Sequence, residues 1–124
     1  MEPGLMMKTA ACLLAVAALG GLVMAGIRFA DKPHPPAWLA MLHGLLAAAA
    51  VTLLAYAYFT VGLPALAGWA LLLFVIAAAG GAFLNLNYHW KLQPLPKGLM
   101  VGHAAIAVLG FVLLLAAVWG ATRT

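Results

Sequence analysis

Between Lys32 and Lys91 the chain carries no charged side chain, and along its whole length four apolar stretches alternate with short breaks rich in proline, glycine and lysine. The stretches cover roughly 9–29, 37–61, 65–88 and 98–120. Each reaches the about 20 residues that a helix needs to cross a hydrocarbon layer of about 30 Å. A helix satisfies its own backbone groups in lipid, whereas a membrane barrel would need strands alternating apolar and polar residues, and no such alternation is present. The breaks have a local cause. Lys32-Pro33-His34-Pro35-Pro36 cannot continue a helix, Gly62-Leu63-Pro64 makes a tight turn, and Gln93-Pro94-Leu95-Pro96 interrupts again. Pro36 and Pro96 preset the first turns of the second and fourth helices. Trp38, Trp69, Trp90 and Trp119 all fall near expected helix ends, where an amphipathic ring favours the headgroup boundary. The pattern predicts an all-α integral membrane four-helix bundle, with residues 1–124 forming one transmembrane domain.

Composition supports the same solvent. With 68% hydrophobic and 6% charged residues, the chain has too little polar surface to cover a water-soluble domain. Lys8 followed by an alanine-rich run has the look of a secretory signal, but its correspondence with the third stretch argues for a retained helix. Cys12 is the only cysteine, so no intramolecular disulfide or thiolate cluster can form. Arg28, Lys32, Lys91 and Lys97 gather at one end of the expected bundle, here called side A. Only Lys8 and Arg123 mark the opposite end, side B. The positive-inside rule then makes side A cytoplasmic and both termini external, as in a bacterial inner membrane. This topology and contact with anionic lipid of the bilayer account for the net charge of +4, and nucleic-acid binding is not indicated.

A shift of 60 residues brings His43 onto His103, Pro36 onto Pro96, Gly20-Gly21 onto Gly80-Gly81 and Ala47 onto Ala107. The pattern predicts a tandem two-helix repeat, about 9–61 and 65–120, around a pseudo-two-fold axis along the membrane normal. Each of the two histidines follows its helix-starting proline by seven residues, which puts both about 8 to 10 Å below side A. Ionisable residues at that depth usually face the bundle interior. Two imidazoles approaching from opposite helices suit the axial positions of a haem, whose porphyrin supplies the other four nitrogens. A structural zinc ion would need four ligands and finds only two at this depth.

On this reading Gly20, Gly21, Gly80 and Gly81 clear space for a planar ring, with Ala47 and Ala107 leaving room along the histidine faces. Small residues of this kind equally serve close helix packing. The propionates would find partners at side A among Arg28, Asn85, Asn87, Tyr88, His89, Trp90, Lys91 and Lys97. Arg28 is favoured for its forked guanidinium, and Asn87 is a hydrogen-bonding candidate. Two other readings of His43 and His103 stay open: structural hydrogen bonding, and a role with another ion, a proton or a quinone. His34 and His89 are expected to be interfacial, and a second haem is not expected.

With His43 and His103 in these positions, the chain resembles the four-helix membrane-embedded b-type cytochromes. The resemblance implies a bis-histidine haem b that transfers single electrons, with quinol or a redox protein docking at side A as the exchange partner. Members of those families often carry two haems at opposite membrane faces, whereas here no histidine lies near side B. Electron exchange near one face is therefore expected, rather than conduction across the bilayer. The alternative is a non-redox accessory or assembly subunit with structural histidines. A transporter has less support, because the only acidic residues, Glu2 and Asp31, lie outside the spans.

Overall fold

A computed structural model describes residues 1–123 and contains four helices: α1 (Pro3–Phe29), α2 (Ala37–Thr60), α3 (Ala65–Leu84) and α4 (Lys97–Ala121). All four are long and apolar enough to cross a membrane, and no strand occurs among the described residues. Two boundaries differ from the sequence expectation. α1 begins six residues earlier than expected because Pro3 occupies its first turn, where a missing N–H costs nothing. α3 does not run regularly to Tyr88, since Asn85–His89 forms a π-helical turn closed by a Trp90 N–H to Asn85 carbonyl bond of 2.7 Å.

The remaining ends follow the prolines. Pro36 and Pro96 immediately precede α2 and α4, and their carbonyls accept the N–H groups of Ala40 and Met100 at 3.2 and 3.0 Å. Gly62, with φ of 78°, makes the α2–α3 turn in a backbone region that favours glycine. Asp31 and Leu92 take the left-handed conformation just beyond α1 and the π-helical turn.

Consecutive helices pack on one another and α4 returns to α1, so α2 and α4 stand diagonally across the bundle. The most extensive packing is within the hairpins α1–α2 and α3–α4. The dense core lies in the side B half. There Ala10, Ala50, Leu54, Ala57, Ala67, Ala70 and Leu114 are fully enclosed, with Met7, Leu14 and Phe74 among them. Small residues let the helices approach closely, which matters in lipid because packing contacts, rather than water exclusion, hold membrane helices together. One exchange shows how tight this half is. Where the first hairpin carries buried Leu14 and Ala50, the second has Phe74 and Gly110 at the same offset, and a β-carbon at Gly110 would lie 3.2 Å from the Phe74 ring.

Side A is closed by its two loops. Pro35 and Leu95 are buried, the Leu95 N–H bonds the Pro33 carbonyl at 3.1 Å, and an exposed Lys97–Asp31 ion pair of 3.3 Å lies beside them.

Candidate functional site

α2 and α4 carry His43 and His103 into the side A half, where the two imidazoles approach to a centroid separation of 6.2 Å with planes at 73°. Each ring is fixed the same way. His43 Nδ1 donates to the Ala17 carbonyl on α1 at 2.7 Å, and His103 Nδ1 donates to the Ala77 carbonyl on α3 at 2.8 Å. A carbonyl only accepts, so the proton of each neutral imidazole sits on Nδ1 and the lone pair is left on Nε2. This is the arrangement that metal-ligating histidines typically show, one nitrogen tied to an acceptor and the other available.

The separation carries further information. With metal–nitrogen bonds of about 2.0 Å and a ring centroid about 1.1 Å behind each nitrogen, two imidazoles trans on one ion lie about 6.2 Å apart. The observed 6.2 Å is compatible with that spacing, and the two rings also meet each other edge to face. Among the described residues, no group of three or more His, Cys, Asp or Glu side chains gathers to hold a bare metal ion.

The glycine pairs do adjoin the histidines, but their role is more local than the sequence suggested. A β-carbon at Gly21 would lie 3.1 Å from His43 Cε1, and one at Gly81 would lie 3.1 Å from His103 Cε1. The second glycine of each pair therefore admits the imidazole of its own hairpin. Gly20 and Gly80 are less constrained, with their nearest histidine atoms at 3.8 Å. Ala47 and Ala107 are half-buried one turn beyond each histidine.

The rim residues are engaged differently. Arg28 donates Nε to the Leu95 carbonyl at 2.8 Å, tying α1 to the opposite loop and leaving its terminal nitrogens. Asn87 donates to the Phe83 carbonyl of its own helix at 3.1 Å, so its amide is used locally. Ala17 and Ala77 are the positions that sequence reasoning passed over. They match at the 60-residue offset, but an alanine match carries little weight in an alanine-rich chain, and the contribution comes from their carbonyls.

The two histidines differ in access. A groove of about 300 Å³ opens between α3 and α4, with His103 in its lining beside Gly80, Gly98, Gly102 and Phe83. At the matching positions beside His43 the chain carries Trp38 and Leu42 in place of Gly98 and Gly102.

Comparison with known protein families, curated proteins and solved structures gives no match to this chain. A functional reading therefore rests on the site itself.

Proposed function

We propose that this chain is a membrane-bound b-type cytochrome that holds one haem b between His43 and His103 and transfers single electrons near side A. The observation that carries this reading is the pair of imidazoles, each with Nδ1 committed to a backbone carbonyl, standing 6.2 Å apart from diagonal helices. His43 and His103 would hold the haem through their Nε2 lone pairs. Haem, when bound, would supply a one-electron ferric/ferrous couple. The protein's own part is to fix both tautomers through Ala17 and Ala77, exclude water with the Pro35–Leu95 closure, and present Arg28 at the rim.

The same reading takes the chain as a tandem two-helix repeat about an axis along the membrane normal. Support comes from burial as well as identity. Ala10 and Ala70, Leu14 and Phe74, Ala17 and Ala77, Leu54 and Leu114, and Ala57 and Ala117 are each buried at the 60-residue offset, and the histidine–carbonyl bonds recur at that offset too. We take the membrane to be a bacterial inner membrane, and the lysine and arginine distribution supports side A as cytoplasmic with both termini outside. A lipid-soluble quinol is the favoured exchange partner, since the groove beside His103 opens between helices rather than through the closed side A loops. A redox protein docking near Lys32 and Lys91 is the other candidate.

One observation favours a second reading. The two histidine–carbonyl bonds also stitch α1 to α2 and α3 to α4, which is what structural histidines in a non-redox assembly subunit would do. Spectroscopy separates the two. The cytochrome reading expects a low-spin b-type absorption spectrum in oxidised and dithionite-reduced protein, lost in His43→Ala and in His103→Ala. A folded chain that stays colourless when expressed with ample haem rejects it.

A further inference from the structure

α2 and α4 begin at Ala37 and Lys97, so positions 60 residues apart on them lie at the same depth. The two helices stand diagonally, which turns their outer faces in opposite directions. Each outer face lies across its helix from a fully buried leucine, Leu54 or Leu114, and is exposed along its length. Lipid can cover any apolar face, so exposure alone points to no partner. The order of side-chain sizes does.

On α2 the outer stripe reads Trp38, Leu42 and Leu45, then Ala49 and Thr52, then Tyr56, at the spacing of three and four that keeps residues on one side of a helix. On α4 the matching positions are Gly98, Gly102 and Ala105, then Leu109 and Val112, then Ala116. At every level except Thr52 and Val112, which are close in size, a large residue on one helix corresponds to a small one on the other. The hollows on α4 are open space. A groove of about 300 Å³ has Gly98 and Gly102 in its lining, a second of about 350 Å³ toward side B has Ala116 and Gly120, and a β-carbon on any of these glycines meets no atom within 4 Å. Thr52 adds an independent sign. Its hydroxyl lies on the α2 stripe about 12 Å inside side B and makes no hydrogen bond among the described residues. Lipid offers it no acceptor, whereas a closely packed helix offers backbone carbonyls.

We propose that copies of this chain associate side by side in the membrane, head to tail, with the outer face of α2 on one copy packed against the outer face of α4 on the next. Trp38 and Leu42 fill the groove at Gly98 and Gly102, Tyr56 fills the hollow at Ala116, and Leu109 packs over Ala49. Fitted contacts of this kind are what holds helices together in lipid. Because the two faces differ and point in opposite directions, each contact leaves one face free at either end, and the assembly extends as an open row rather than closing as a dimer. Packing of this kind needs no haem, although a neighbouring copy and a quinol would meet at the groove beside His103.

The test is sedimentation equilibrium of the full chain in density-matched detergent micelles over a range of protein-to-detergent ratios. Species larger than a dimer are expected as the ratio rises. Association should be about tenfold weaker in Trp38→Ala, in Tyr56→Ala and in Ala116→Tyr, each at parental helicity. The Tyr56→Ala/Ala116→Tyr double variant exchanges knob and hollow far from the histidines and should recover most of the parent's association. A folded parent that stays monomeric at every ratio overturns the proposal. So does association that stops at dimers and ignores Trp38→Ala, as two α4 faces meeting through their glycines would give, and so does a double variant weaker than both single ones.

Discussion

The two halves of the bundle are built on opposite packing rules. Toward side B, alanines and leucines with no exposed surface lock the four helices together. Toward side A, the bundle interior holds two imidazoles, two glycine pairs and half-buried alanines, and a groove opens beside one histidine. The side B core makes no use of polar groups, whereas each side A hairpin is joined through a histidine–carbonyl bond. The difference fits the proposed function as a division of labour, in which one half holds the fold and the other would receive the ligand.

Substitutions can break this comparison, and the largest effect belongs to side B. Leu54→Ala and Leu114→Ala remove fully enclosed side chains and should destabilise the bundle by about 2 to 3 kcal/mol, read as a lower Tm in detergent. Haem stoichiometry of the protein that stays folded should be unchanged. Loss of haem with no change in Tm would blur the division.

At side A, Gly21→Ala and Gly81→Ala are expected to weaken haem binding about tenfold, equivalent to about 1.4 kcal/mol. The added β-carbon would press at 3.1 Å on an imidazole that cannot retreat without lengthening its bond to Ala17 or Ala77. Gly20→Ala and Gly80→Ala, with 3.8 Å available, should bind haem normally and gain up to about 1 kcal/mol of helix stability. Equal behaviour of the first and second glycines would contradict the local role assigned to them.

Access can be tested within the same half. Gly102→Leu, which copies Leu42 of the first hairpin, places its side chain in the groove, and a β-carbon there meets no atom within 4 Å. Reduction of the haem by a short-chain quinol should slow severalfold while the dithionite-reduced spectrum stays the same. The smallest effect is expected at Lys97→Ala. It breaks an exposed ion pair, and such pairs contribute about 0 to 1 kcal/mol.

Much of the fold was legible because membrane spans and prolines are strong local signals. Pro36, Pro64 and Pro96 stand immediately before helices, and the four spans appear where the apolar stretches lie. The π-helical turn had no such signal, since Asn85-Leu86-Asn87-Tyr88-His89 reads as an ordinary helix end. The facing of His43 and His103 was legible from their equal depth, while their anchoring was not, because backbone carbonyls leave no mark in side-chain identity. The rings of His34 and His89 meet edge to face because two loops come together, which local sequence does not encode.

The most direct test of the central claim is a titration of the purified, haem-free chain with haem in detergent, followed by absorption. The account expects saturation at one haem per chain with a six-coordinate low-spin spectrum, and no such spectrum from the His43→Ala/His103→Ala double variant. No saturable binding by the folded parent, or an identical spectrum from the double variant, would contradict it.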